Sequence, residues 1–345
     1  MNNIICLKNF RVFRNVSLKT LVVVALTMTS FAKAEKEVLF EGYSKVTINK
    51  QHIGYSISRY EFDPISKKFF ATVFTKTGAL GGNFIESIKA ISDSAMSPVS
   101  YEYTTLVTEG NKTSSKKIDA VFRAKKSKKT KKGAVGEIKT LLATVTQDGK
   151  MSKIETDLPE GSFMSYFLVY LMLKSKSGLQ TGSKYEYKAI AEEKAKITSG
   201  EAKVTTMEDF KGLKAYKIDN EFDNQKFTSF VTDRGEVLGV INPASGVEAE
   251  LVAKPNEAVG EFPFPTATLK TLFGEVPLGT NNIVSKTLKQ ESLKSVTEPP
   301  GSKQFGTPAG SGIVSKPGTT STVEVEKIEK PMPTATDSKD TPKKK

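Results

Sequence analysis

One stretch limits what this chain can fold into: Gly161 to Gly178, GSFMSYFLVYLMLKSKSG. From Phe163 to Leu173 only Ser165 is neither apolar nor aromatic. Ser162 is placed to cap a helix and Gly178 to end it, and Lys174 and Lys176 sit where cations favour the helix dipole. At ~1.5 Å per residue the apolar run is ~16 Å long, about half of a bilayer's hydrocarbon core, and so too short to span a membrane. A helix apolar all round needs cover on most sides. The segments before and after it read as strands. The pattern therefore predicts an α+β, mostly β fold: a curved antiparallel sheet wrapped around one apolar helix.

The strand signals are short and evenly spaced. Val38 to Lys50 and Ile53 to Phe62 read as a hairpin around Asn49-Lys50-Gln51-His52. Lys68 to Lys76 is apolar on both faces and so central. Asn83 to Ser92 reads as a fourth strand, although Phe84, Ile88 and Ile91 also suit a helical turn. Val99, Tyr101 and Tyr103 alternate with Ser100, Glu102 and Thr104; Ile118, Ala120 and Phe122 alternate with Lys117, Asp119 and Arg123. Glu137 to Gln147 runs into Asp148-Gly149, a short-hairpin signal. Beyond the helix, Lys184 to Lys194 places Tyr185, Tyr187 and Ala189 on one face, and Val237 to Ile241 and Val247 to Val252 close the series. Such spacing means a meander.

The two ends read differently. Residues 1–34 form a secretory signal: Lys8, Arg11, Arg14 and Lys19, then apolar Leu21 to Phe31, then Ala32-Lys33-Ala34 with cleavage after Ala34. That places the chain in a periplasm or at a cell surface. The one cysteine, Cys6, leaves with the signal, so no disulfide, thiol nucleophile or thiolate ligand remains. Residues 35–255 are the β-rich domain, long enough to build a core unaided. Eleven of the fifteen prolines lie at or beyond Pro255. Residues 256–279 read as a short extension with a helix at Thr266 to Phe273, and 280–345, rich in Pro, Ser, Thr and Lys, as a disordered tail.

Charge narrows the partners. The formal net charge is +13, and the signal's five basic residues (Lys8, Arg11, Arg14, Lys19, Lys33) lower it by five on cleavage. The remainder still favours an anionic envelope surface of lipid headgroups or lipopolysaccharide. An exported chain does not meet nucleic acid. The absence of tryptophan weakens a carbohydrate-stacking platform. Lys125, Lys126, Lys128, Lys129, Lys131 and Lys132 are either a contact to such a surface, at ~1 kcal/mol each near charged lipid, or the solvated charges of a long hairpin loop, the commoner origin of such a run.

Catalytic signals are sparse. His52, the only histidine, sits in a hairpin turn and reads as solvated rather than as a general base. A histidine zinc site lacks partners. Asp219-Asn220-Glu221-Phe222-Asp223-Asn224 lacks the sixth-position glycine of a calcium loop and has Phe230 at the twelfth, so its acids belong on a strand's outer face. Ser114 and Lys117 match a serine–lysine spacing inside a strand, without its helix. We expect no enzyme, cofactor or metal. Phe163, Tyr166, Phe167 and Tyr170 of the helix, with Tyr101, Tyr103, Phe122 and Tyr187 of the sheet, are candidates to line an apolar pocket; an ordinary core is the plainer role for most of them.

Four segments carry a family resemblance. KQHIGYSISRYEF matches a recurring Gly-Tyr entry, and SPVSYEYTTLVTEG a strand after proline. SFMSYFLVYLMLKSKSGLQTGSKYEYKA matches a helix followed by G-x-x-Y on a strand, and FVTDRGEVLGVINPASGVEAELV a final hairpin. Over roughly residues 37–253 the chain resembles an uncharacterised family of periplasmic bacterial proteins whose fold is similar to the lipoprotein carriers and receptors of outer-membrane sorting. The family's usual tryptophan before the last strands is missing here. The resemblance implies an unclosed barrel around a helix, sometimes holding an acyl chain, and carries no catalytic residues. The expected function is a non-enzymatic envelope protein binding a lipid or other apolar ligand between sheet and helix. The alternative is an envelope scaffold that docks a protein partner through its tail; a hydrolase ranks last.

Overall fold

The computed structural model describes residues 36–78, 82–126 and 137–297. The expected export signal and Ala34 lie outside these residues. Eight strands precede the helix: β1 (Glu37–Ile48), β2 (Gln51–Asp63), β3 (Lys68–Thr77), β4 (Asn83–Asp93), β5 (Pro98–Glu109), β6 (Lys112–Lys126), β7 (Glu137–Gln147) and β8 (Lys150–Asp157). A ninth, β9 (Phe163–Met164), runs into it, and six follow: β10 (Lys184–Ala191), β11 (Lys196–Phe210), β12 (Leu213–Phe222), β13 (Gln225–Val231), β14 (Val237–Asn242) and β15 (Val247–Val252). They form one sheet in the order β8 to β1, then β15 to β9. Each half is a meander. Their first and last strands pair, from Tyr43 opposite Val252 to Ile48 opposite Val247. β8 and β9 are the two edges, so the curved sheet stays unclosed.

Turn chemistry sets the register. Asn49 and Lys50, at φ 47° and 67°, and Asp148 and Gly149, at 48° and 79°, are two-residue turns with both residues left-handed, the geometry that matches strand twist. β4 is a strand, not a helical turn. In β10, Tyr187 lies opposite Gly200 of β11 with its ring over the glycine; a Cβ there would come within 2.4 Å of the ring.

The central segment departs from the single helix the sequence predicts. Phe163 and Met164 form β9, parallel to β10 at Ala189 and Ile190. Ser165–Phe167 is a 3₁₀ turn, and only Leu168–Lys174, α1, is α-helical. Strand pairing takes the backbone groups that a helical first turn would have used. Ser162 therefore caps nothing; its hydroxyl donates to Pro159 O at 2.8 Å. Ser175 ends α1, its N–H reaching Leu171 O at 3.0 Å, and Gly178 lies beyond at φ 59°. Cover is also less complete than an all-apolar stretch suggests. Phe163, Met164, Phe167 and Met172 are buried, whereas Val169, Tyr170, Leu171 and Leu173 are only partly so.

Both halves of the sheet use this segment as core. Met164 and Phe167 pack with Ile88, Tyr101, Tyr103, Ile118 and Leu141. Phe163 and Met172 pack with Tyr185, Tyr187, Val204, Ile218 and Val231. A third cluster, Tyr43, Tyr55, Ile57 and Phe74, occupies the other face of β1–β3 by strand alternation. Helices α2 (Pro255–Val259) and α3 (Thr266–Phe273) cover it through Ala258 and Leu269.

Residues 280–297, expected to belong to a disordered tail, are ordered. Asn282 and Ser285 are buried, and Ile283–Thr297 forms α4. Asn282 donates to Glu41 O at 2.9 Å, and Ser285 to Ala253 O at 2.7 Å. Those polar anchors hold a segment whose composition alone reads as unfolded. Residues 298–345 lie outside the described part. Among the described residues no helix is long and apolar enough to cross a membrane.

A buried ion pair fastens this C-terminal strap. Arg59 and Glu41 are each 5 % exposed. Arg59 Nε donates to Glu41 Oε2 at 2.6 Å, its Nη1 to Phe273 O at 3.2 Å and its Nη2 to Glu275 at 3.3 Å. Glu41 Oε1 accepts Gly279 N–H at 2.6 Å. Breaking one partner of a satisfied buried pair leaves an uncompensated charge. Arg59→Ala should therefore cost ~3–5 kcal/mol in urea unfolding. Glu275→Ala, whose side chain is 75 % exposed, should cost less than ~1 kcal/mol. Equal losses would show that the pair does not hold the strap.

Candidate functional site

The seam between the two halves is lined by small side chains. Ser44 and Ser56 stand opposite each other on β1 and β2, with Ser58 two residues on and Ala249 on β15. The helical segment, seated on the tyrosines and aliphatics of both halves, bridges this gap instead of filling it. A cavity of about 240 Å³ results. Its lining mixes hydroxyl-bearing side chains (Ser44, Ser56, Ser58, Tyr60, Tyr166 and Tyr170) with apolar ones (Phe40, Val169, Val237, Val240 and Ala249). Tyr60 stacks obliquely on Tyr170 at 5.3 Å and meets Phe167 edge-on at 6.4 Å, which fixes the ring at the cavity's end.

Carboxyls stand behind the hydroxyl-bearing side chains. Glu192, 1 % exposed, accepts the Ser165 hydroxyl at 2.6 Å through Oε2. Its Oε1 and the Tyr101 hydroxyl are both buried without a hydrogen-bond partner among the described residues. Burial pushes the Glu192 carboxyl up to about 8, against the lowering effect of Ser165 and with a smaller push from Glu193. Burial also raises the Tyr60 hydroxyl, with Glu192 adding to it. Tyr166 is raised by burial, then by Glu86 and Glu192. Glu86 is itself raised by burial, beside Tyr103.

Of the eight candidate pocket residues, Tyr166 and Tyr170 line the cavity. Phe163, Phe167, Tyr101, Tyr103 and Tyr187 are packed core. Phe122 is half-buried against Tyr101 at 6.2 Å. The serines of the lining escaped sequence reasoning, although Ser56, Ser58 and Tyr60 alternate in GYSISRYEF. Nothing local in Ala191-Glu192-Glu193-Lys194 marks Glu192 as buried. Among the lysines, Lys125 reaches Glu155 at 3.4 Å and Lys126 ends β6. Lys128, Lys129, Lys131 and Lys132 lie outside the described residues.

His52 is not the solvated turn residue its position predicts. Its Nε2 lies 2.9 Å from Gly54 O and 2.8 Å from Ala258 O. Both are acceptors, so Nε2 carries the proton and donates. Phe262 meets the ring edge-on at 5.0 Å. Because α2 and the residues after it pack on the hairpin, His52 serves as a strap anchor.

No family model matches this sequence, and no curated protein does. Among solved structures, the chain is similar to a beta-barrel-like protein of a domain of unknown function, DUF1849, from Brucella abortus. The identity is 8 %, the TM-score 0.42, and the match covers 61 % of this chain and 94 % of that one.

The Glu192 shift predicts a pH effect of definite sign. Between the model-peptide carboxylate range and about 8, folded Glu192 holds a proton that the unfolded chain has released. Stability must then fall as pH rises through that window, by at most ~1.4 kcal/mol per unit, and level off above it. In urea melts across pH, Glu192→Gln should flatten this slope. An unchanged slope in the variant would assign the titration elsewhere.

Proposed function

We propose that this chain is a non-enzymatic exported envelope protein that holds a lipid or other apolar ligand between sheet and helix. The cavity over the seam carries the reading: its lining is part apolar and part hydroxyl-bearing, and many of its lining residues are partly exposed. At ~30 Å³ of liquid volume per water, it takes about eight heavy atoms, a short segment of chain and not a whole lipid. The signal-like N-terminal sequence supports export, and the basic balance supports contact with an anionic envelope surface. Fold-level likeness adds nothing to function here.

Native mass spectrometry of protein purified from a periplasm tests this directly. We expect an adduct of lipid mass that is lost on denaturation. Ala249→Leu and Ser58→Leu each fill the cavity and should remove most of the adduct while far-UV circular dichroism stays unchanged. A wild-type protein without adduct, or an adduct that persists in both variants, counts against the cavity as the site.

A second reading, an envelope module that docks a protein partner, is favoured by β8. This edge strand has its outer side unpaired and carries Met151 at 69 % exposure. On that reading, removing residues 298–345 or placing a proline in β8 should abolish partner capture.

A further inference from the structure

The cavity also carries information about the ligand's polar end, an inference that rests on the pocket reading above. Six hydroxyl-bearing side chains line the space, Ser44, Ser56, Ser58, Tyr60, Tyr166 and Tyr170, and among the described residues no lysine, arginine or histidine does. Hydroxyls donate and accept, so such a lining satisfies an uncharged hydrogen-bonding group in either direction. An ionised group is treated differently. A carboxylate or phosphate entering this space would lose its water and meet no cation, which is the costly way to bury a charge.

The acidic residues behind these hydroxyls bear on the same question. Glu192 lies within electrostatic reach of Tyr60 and Tyr166, Glu86 of Tyr166, and Glu236 of Tyr170. The cations nearby are already engaged. Lys116 Nζ donates to Glu193 O at 2.7 Å. Arg59 projects to the opposite face of β2, where Glu41 and Glu275 hold it. Burial raises these tyrosines first of all, so the space disfavours charge of either sign. Glu192 is held in its protonated form below about pH 8, so at neutral pH it supplies no counter-charge to a cation, and no lining cation meets an anion.

We infer that the cavity selects an uncharged polar amphiphile, a hydroxyl- or amide-ended chain. Its apolar segment lies against Phe40, Val169 and Val237, and its polar end faces the seam serines and tyrosines. Anionic amphiphiles of the same length are excluded.

The test is direct binding of 1-hexanol, hexylamine and hexanoate, matched in chain length and within the ~8 heavy atoms the cavity takes, to delipidated full-length mature protein at neutral pH, read by isothermal titration calorimetry. Hexanol should bind ~10-fold or more tightly than either ionised compound. Hexanoate should gain on hexanol as pH falls into its own carboxylic range. Hexanoate or hexylamine matching hexanol at neutral pH would overturn the head-group inference and leave the cavity standing. Binding of none of the three would overturn the pocket reading with it. Ala249→Leu locates the event: loss of hexanol binding in this variant supports the assignment, and undiminished binding places the hexanol elsewhere and overturns it.

Discussion

The pairing of β1 with β15 is the contact on which the rest of the architecture depends. Each meander can form from local hairpins, but the first and last strands of the domain meet only after a long loop has closed. For about two hundred residues that closure costs roughly 5 kcal/mol by the logarithmic rule. The return is shared burial. Phe163 and Met172 belong to one half's core, Met164 and Phe167 to the other's, and neither half covers the segment alone. The strap then crosses the outside of the same strands. Tyr43 donates to Pro277 O at 2.8 Å and Tyr55 to Pro263 O at 3.1 Å, while Arg59 and Glu41 hold residues 273–279. The seam is thus braced from outside by polar anchors because its inside is built of serines and alanine.

That division explains where sequence reading succeeded. Strands are dictated by alternation and by turn residues, both local properties. Glu137–Gln147 and the helix Thr266–Phe273 occur within the bounds their patterns predict. The curved sheet followed from short strands on both sides of one apolar stretch, whereas its unclosed form was legible only through the family resemblance. Phe163 and Met164 misled because an apolar pair is equally content in a helix or beside a strand. The parallel partner at Ala189 and Ile190 decided it, and periodicity does not report a partner some twenty-five residues away. Residues 280–297 misled for the opposite reason. Their order depends on Glu41, Ala253 and Glu236, which accept from Asn282, Ser285 and Ile283 across the fold. Composition measures what a segment can bury, not what another segment can offer it.

The candidate site was half legible on the same grounds. Tyr166 and Tyr170 announce themselves as large aromatics on an apolar stretch. A cavity, however, is made by what is small, and Ser44, Ser58 and Ala249 look like any strand residues until β1, β2 and β15 are known to adjoin under a helix. Glu192 is less visible still, since its burial arises from a 3₁₀ turn at Glu192–Lys194 that folds the end of β10 inward.

A core optimised only for stability would not look like this seam. Larger side chains at Ser44, Ser58 and Ala249 would fill the space beneath the helix at no cost to strand geometry, and each filled methylene is worth ~0.8 kcal/mol. Replacing Glu192 by an apolar residue would remove a buried carboxyl whose second oxygen has no partner among the described residues, a loss ordinarily worth ~1–3 kcal/mol. Both departures lie beside Tyr60 and Tyr166. Departures from local consistency that cluster in this way are expected where a protein binds something. On the proposed reading, the hydroxyl-bearing side chains are the part of the lining that discriminates between ligands, because the apolar ones would accept any chain of the right length.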